Sequence, residues 1–189
     1  MLGECGTNMA MAVRQSRKPI DPARLEELAL SYVSRFATSR VKLKNYLLRK
    51  LRERGWAEES EPPIDALTDR MAQLGYVDDR AYALSKARSL TARGYGGGRV
   101  RQALAQAGIA EEHSTDAREL AANEAFDAAL RFARRRSLGP YAAARPEGRD
   151  REKAIAAMLR AGHEYGIVRT LIDLGPGEFP ENDAVKRSD

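Results

Sequence analysis

The feature that most constrains this chain of 189 residues is a helical ending that recurs at nearly constant spacing. Each copy has an apolar or small residue, an apolar residue four positions later, and a glycine four positions after that. Residues at i and i+4 share a helix face, and a glycine just past a helix readily takes the left-handed conformation that ends it. The glycines lie 53 and 54 residues apart, which predicts three similar helical modules in tandem. The copies are Leu47/Leu51/Gly55, Val100/Leu104/Gly108 and Ala154/Met158/Gly162.

Composition favours helices over strands in these modules. Leucine, alanine, arginine and glutamate are abundant, whereas aromatic residues make up 6% of the chain. The hydrophobic fraction of 43% is close to what a packed globular core requires. We therefore predict an all-α fold.

Helical apolar stripes and their stop signals predict where each module begins and ends. The acidic, proline-containing stretch from Glu58 to Pro63 is the clearest linker, and a long helix is predicted from about Thr115 to Arg136. The first module has room for only two clear helices. The predicted segments are a disordered leader at 1–20, an incomplete first module at 21–57, a second three-helix module at 58–110, a third helical module at 111–175 and a disordered tail at 176–189.

Positive charge follows the same rhythm along the chain, whose net charge is +5. Residues 14–54 carry 12 basic and 4 acidic side chains, residues 80–110 carry 6 and none, and residues 131–160 carry 9 and 3. One interpretation is that these are solvated helix faces whose opposite charges pair across modules. The other is that stacked modules align their cations to follow a phosphate backbone or an acidic protein groove.

Basic residues in these blocks are the candidate binding residues. The glycine-rich turn from Arg93 to Arg99 precedes a helix, but it fits no nucleotide-binding motif, and a tight turn between helices explains it simply. Direct contact of its arginines with an anionic partner is the alternative. The candidates for contact with a partner or DNA are Lys42, Arg49, Arg52, Arg93, Arg99, Arg101, Arg134 and Arg135.

Residues suited to catalysis or metal binding are scarce. With His113, His163 and the single Cys5, neither a zinc site nor a Cys/His dyad can be assembled convincingly. The pair Asp78 and Asp79 stands at a predicted helix start, where N-capping and the helix dipole explain both carboxylates. We expect no enzymatic activity, no cofactor and no metal.

Some features of the sequence indicate the cellular compartment in which the protein is found. A lone cysteine gives no argument for an oxidising environment, and no apolar run reaches the roughly 18–20 residues that cross a bilayer. The opening stretch lacks the basic and apolar regions of a secretory signal. We expect a cytoplasmic protein that does not enter membranes.

Three stretches of the middle of the chain form a fairly specific combination, which resembles the central region of RecX regulatory proteins. The first module matches more loosely through residues 47–51 and Gly55, and the third more loosely still, so the resemblance covers roughly residues 24–175. The three stretches are Leu74-Gly75-Tyr76-Val77-Asp78-Asp79-Arg80-Ala81-Tyr82-Ala83, then Arg93-Gly94-Tyr95-Gly96, then Arg99-Val100-Arg101-Gln102-Ala103-Leu104 with Gly108-Ile109.

This resemblance implies tandem three-helix repeats in an elongated, curved body that lies in the groove of a RecA filament on DNA. Such proteins block filament growth and the ATPase, recombinase and coprotease activities of RecA, and so restrain homologous recombination and the SOS response. We expect a monomer with the RecA filament and single- or double-stranded DNA as partners. The alternatives are a helical-repeat protein that binds DNA directly without a recombinase, and a scaffold that pairs only with another protein's acidic surface.

Overall fold

The structure is a computed structural model that describes residues 18–179. Most of the predicted leader and tail, at 1–20 and 176–189, lies outside the described residues. The described part is all-α, as predicted, with nine helices and one 3-10 turn. The helices are α1 Pro22–Val33, α2 Arg40–Arg54, α3 Ile64–Gln73, α4 Asp79–Ala92, α5 Gly97–Gln106, α6 Glu111–Asn123, α7 Ala125–Arg136, α8 Gly148–Arg160 and α9 Tyr165–Asp173, and the 3-10 turn is Gly139–Tyr141.

Short polar side chains define several helix starts. The Asp21 carboxylate accepts from the Arg24 N–H at 2.7 Å at the start of α1, where Pro22 takes the first helical position. Asp78 plays the same part for α4, accepting from the Ala81 N–H at 2.9 Å. Such caps each stabilise a helix by about 1 kcal/mol. The predicted capping role of Asp78 is therefore confirmed.

Three separate clusters of buried side chains divide the helices into three modules of three helices each. The first module packs α1, α2 and α3, the second packs α4, α5 and α6, and the third packs α7, α8 and α9. The repeated glycines all follow the middle helix of a module and have positive φ: 83° at Gly55, 68° at Gly108 and 88° at Gly162. The repeat therefore predicted the ends of α2, α5 and α8.

The module boundaries differ from those expected. Helix α3, assigned to a module at 58–110, buries Ile64, Leu67 and Met71 in the core of the first module. Helix α6, assigned to a module at 111–175, packs Ala117 and Ala121 in the core of the second. The proline-containing stretch after Gly55 is thus a loop inside the first module, which is complete with three helices.

Two smaller expectations are also corrected. The helix predicted from about Thr115 to Arg136 is interrupted at Glu124, because α6 packs in the second core and α7 in the third. Ile20 was assigned to the leader, but its side chain is fully buried in the first core. Its N–H donates to the Gly55 carbonyl at 3.0 Å, and its carbonyl accepts from the Ala57 N–H at 3.0 Å.

The first and second modules meet at the start of α2. The Ser39 hydroxyl accepts from the Lys42 N–H at 3.2 Å and donates to the carbonyl of Ala107, at the end of α5, at 2.6 Å. Asp79 accepts from the Arg40 N–H at 3.0 Å. Residues of the second module therefore complete the N-terminus of a helix in the first, which ties the two modules together.

Candidate partner-binding cleft

A close approach of backbones joins the second and third modules. The Gly96 N–H donates to the Ala161 carbonyl at 3.0 Å, and the Gly98 N–H donates to the Gly162 carbonyl at 2.9 Å. A Cβ on Gly96 would lie 2.3 Å from the Gly162 carbonyl oxygen, and one on Gly162 would lie 2.2 Å from the Arg99 nitrogen. The absence of side chains at both glycines is what allows these two hydrogen bonds to form.

Helix α7 closes the other side of the same junction. The Arg131 side chain donates to the Thr91 carbonyl at 3.1 Å, and the Arg135 side chain donates to the Arg93 carbonyl. A Cβ on Gly94 would lie 2.8 Å from the Phe132 nitrogen, so this turn also needs a glycine. The glycine-rich turn is thus a packed connection between modules, in agreement with the simple interpretation of its sequence.

This packing surrounds the ring of Tyr95 with arginines. The guanidinium carbons of Arg93, Arg135 and Arg99 lie 5.5, 5.8 and 6.0 Å from the ring centroid. A guanidinium within about 6 Å of an aromatic face is attracted to it by roughly 0.5–1 kcal/mol at an exposed site. The ring therefore helps to hold in one place the cations of Arg93, just after α4, Arg99 on α5 and Arg135 on α7.

Phe132 extends the basic surface into an open cleft of about 600 Å³. The guanidinium carbons of Arg135 and Arg136 lie 5.4 and 5.9 Å from its ring centroid, and Arg160 of α8 also lines the cleft. We call this space the junction cleft, because its walls come from both modules. It is lined by Tyr95, Arg99, Phe132, Arg135, Arg136, Ala157, Arg160 and Ala161.

The junction cleft is positively charged without local compensation. None of its lining residues is acidic, and within residues 18–179 no ion pair joins its four arginines to a carboxylate. Arg99 instead donates to the Gln102 side chain at 2.7 Å. Several guanidinium groups thus lie against the rings of Tyr95 and Phe132 without a carboxylate partner. Such groups can bind phosphate or carboxylate oxygens.

His163 contacts Phe132 and Gly94 at the junction of the second and third modules. Its side chain is 5% exposed, its Nε2 is 3.2 Å from the Gly94 carbonyl oxygen, and its ring meets Phe132 edge-on at 5.4 Å. Burial lowers the pKa of this imidazole, and the hydrogen bond to Gly94 opposes that shift in part. The neutral ring is therefore the form that fits the junction.

The structure brings together only some of the predicted binding residues. Arg99 and Arg135 line the junction cleft, and Arg93 stands beside it on Tyr95. Arg134 is exposed on α7 but does not line the cleft, and Arg101 faces a groove that it shares with Arg118.

The candidates of the first module are placed elsewhere. Lys42 is half-buried at the contact between modules, where its ammonium donates to the Tyr82 hydroxyl at 2.6 Å. Arg49 and Arg52 are exposed on α2. The eight candidates are therefore not one continuous surface.

Sequence reasoning did not select Arg136 and Arg160, although both line the cleft. Arg136 continues the run of arginines that ends α7, and this run was a usable signal. Arg160 carried no such signal, because its place depends on the approach of α8 to the turn at Gly96. Membership of the cleft follows from packing between residues that are distant in sequence, such as Gly96 and Gly162.

A tandem array of three-helix modules with an uncompensated basic cleft at a module junction defines a helical-repeat binding protein. The family model described as "RecX, second three-helix domain" matches residues 78–117. Regulatory protein RecX of Myxococcus xanthus is 33% identical over 174 residues, which cover 84% of this chain and 89% of that protein. Regulatory protein RecX of Agrobacterium fabrum is 31% identical over 133 residues, covering 66% and 68%. The chain belongs to the RecX family of regulatory proteins.

Solved structures agree with this assignment at the level of the fold. The crystal structure of RecX from Lactobacillus salivarius superposes with a TM-score of 0.57 at 22% identity, over 80% of this chain and 94% of that one. A second structure, described as regulatory protein RecX, gives a TM-score of 0.59 at 26% identity, over 80% and 73%. Among residues 18–179, none of the helices combines the length and the apolar character that spanning a bilayer requires.

Proposed function

We propose that this chain is a non-enzymatic negative regulator of homologous recombination and the SOS response, which binds the RecA filament on DNA. In this role it inhibits extension of the filament and its ATPase and recombinase activities. It acts as a monomer in the cytoplasm, with the RecA filament and its DNA as partners. Membership of the RecX family supports the regulatory role.

The observation that carries the proposal is the junction cleft. Four arginines and two aromatic rings converge there without an acidic residue, so an incoming anion meets cations that are already in place. Both the DNA backbone and the acidic side chains of a filament provide such anions. Binding in the cleft would fix the second and third modules against the filament and obstruct addition of the next recombinase subunit.

The first experiment is ATP hydrolysis by RecA on single-stranded DNA, titrated with the full chain. We expect inhibition at concentrations below that of RecA, because a regulator that stops filament extension acts on many subunits at once. Unchanged hydrolysis, together with binding of the chain to DNA alone, would favour direct DNA binding without a recombinase. Equal binding of the chain to RecA in the presence and absence of DNA would favour a scaffold that pairs with an acidic protein surface.

Charge reversal in the cleft tests which surface is responsible. The double variant Arg99→Glu and Arg135→Glu should raise the inhibitory concentration by about tenfold or more, which corresponds to roughly 1.4 kcal/mol of binding free energy. Arg101→Glu with Arg118→Glu is the matched control, since it reverses the same number of charges and both arginines are exposed and do not line the cleft. Equal losses from the double variant and the control would argue against the cleft as the binding site.

A further inference from the structure

A second cluster of aromatic and basic side chains lies on the first module, apart from the junction cleft. The rings of Tyr32 on α1 and Tyr46 on α2 are stacked, with centroids 4.2 Å apart and an angle of 16° between the planes. Phe36, in the turn after α1, lies 5.4 Å from Tyr32 at 48°. We call these three rings, together with Arg35 and Arg49, the aromatic ledge.

The ledge is open at its outer ring. Phe36 is 57% exposed, whereas Tyr32 and Tyr46 are half-buried and pack against the core of the first module. The two tyrosines pack where α1 closes on α2, whereas Phe36 lies at the outer end of the stack and, within residues 18–179, is left largely exposed. An exposed phenylalanine at the end of a ring stack offers a free aromatic face to a ligand.

Cations flank the rings on the same surface. The Arg49 guanidinium carbon lies 5.7 Å and the Lys50 ammonium 5.9 Å from the Tyr46 centroid. Arg49 and Lys50 also lie 3.8 and 2.9 Å from the Glu53 carboxylate, which is 44% exposed, and solvent-exposed ion pairs contribute little to stability. Arg35 and Arg49 line an open space of about 340 Å³ beside the rings, and none of its lining residues is acidic.

We propose that the aromatic ledge binds unpaired bases of a single-stranded nucleic acid. A base stacks on Phe36, and the adjoining phosphates lie against Arg35 and Arg49. Rings flanked by cations are the arrangement that grips single strands, because each base has a face to stack and each nucleotide carries a charge. A duplex keeps its bases inside the helix, and an acidic peptide would use the cations but leave the Phe36 face uncovered.

This proposal adds a contact with the DNA that the proposed function names as a partner. It concerns another module and is tested without a recombinase, so the two proposals can fail separately. The assay is fluorescence anisotropy of a short labelled oligodeoxythymidylate titrated with the full chain. Phe36→Ala should raise Kd by about five- to a hundredfold, the range found when an aromatic stacking partner is removed. Phe36→Tyr should keep Kd within about twofold and Phe36→Leu should not, because only the former retains a ring.

Salt dependence separates the roles of the rings and the cations. Phe36→Ala should leave the slope of log K against log salt unchanged, whereas Arg35→Gln with Arg49→Gln should reduce it by about one to two. Tyr165→Ala is the control for loss of an exposed ring, because Tyr165 is 60% exposed on α9 in the third module. Its Kd should match that of the parent chain.

Three results would overturn the assignment. The first is a Kd that Phe36→Ala leaves unchanged while circular dichroism shows intact helices. The second is equal sensitivity of duplex binding to the same variant. The third is displacement of the oligonucleotide by polyglutamate, if Phe36→Ala also weakens the binding of polyglutamate. That result would assign the ledge to an acidic protein. Comparable binding of oligouridylate would support a site for single strands of either backbone, and weaker binding would support one for DNA.

Discussion

Replacing Gly96 by alanine is the most direct test of how the second and third modules are joined. The φ of Gly96 is −80°, which alanine adopts without strain, so any effect must come from the added methyl group. That methyl would lie 2.3 Å from the Gly162 carbonyl oxygen and 2.6 Å from the His163 nitrogen. Ordinary contacts start near 3.5 Å, so the two backbones must separate by about 1 Å.

The cost of this separation follows from the hydrogen bonds that cross the junction. The bonds from the Gly96 and Gly98 N–H groups, now 3.0 and 2.9 Å long, would stretch beyond hydrogen-bonding distance. A lost bond costs roughly 0.5–1.5 kcal/mol, and a buried group left without a partner costs about 1–3 kcal/mol. We therefore expect the free energy of unfolding to fall by about 2–5 kcal/mol.

Urea denaturation followed by circular dichroism measures this change, and the next residue supplies the control. A Cβ on Gly97 would meet only the end of the Arg101 side chain at 3.7 Å, so Gly97→Ala should change the free energy by no more than about 0.5 kcal/mol. The Gly96 variant should also lose inhibition of RecA, because the walls of the junction cleft move apart. A Gly96→Ala variant as stable as Gly97→Ala would refute this account of the junction.

Two further predictions concern His163 and Ser39. Because burial lowers the folded-state pKa of His163 below its ordinary value near 6.5, the stability it supports is present above that value and is lost as pH falls below it. Chemical denaturation between pH 7.5 and 5.5 should show this loss of stability in the parent chain and in His113→Gln, and a smaller loss in His163→Gln. Arg101, Arg118 and Glu164 are the charged groups that line the same small cavity as His163, and all three are retained in both variants. Ser39→Ala removes the cap of α2 and the bond to Ala107, and should cost about 1–3 kcal/mol in urea denaturation. The exposed Ser34→Ala should cost less than about 0.5 kcal/mol, and equal losses would contradict the bridging role of Ser39.

Much of the fold could be predicted from local sequence signals. The glycines of the repeat mark the ends of α2, α5 and α8, because a positive φ at a helix end is a local requirement that glycine meets at little cost. Asp78 likewise caps the helix at whose start it was expected, and Asp21 and Ser39 cap α1 and α2 in the same way, because a short polar side chain can accept from the first turn. These features depend on a few neighbouring residues.

The grouping of helices and the site could not be predicted in the same way. The sequences of α3 and α6 do not indicate which module core buries their apolar residues. The acidic, proline-containing loop from Glu58 to Pro63 was therefore interpreted as a boundary between modules. Arg160 joins Arg99 only because Gly96 and Gly162 allow their backbones to meet. The side chain of Lys42 has the polarity of a surface residue, yet it lies against Tyr82 of the next module. Contacts between residues that are distant in sequence decide each of these cases.

The capping of α2 by the second module has a consequence for how the chain emerges from the ribosome. Ser39 donates to a carbonyl that lies 68 residues further along the chain. At a synthesis rate of about 5–20 residues per second, that acceptor leaves the peptidyl-transferase centre roughly 3–14 s after the serine. During this interval the nascent first module lacks the partner that anchors its second helix. The first module therefore gains this hydrogen bond only after the second module has been synthesised as far as Ala107.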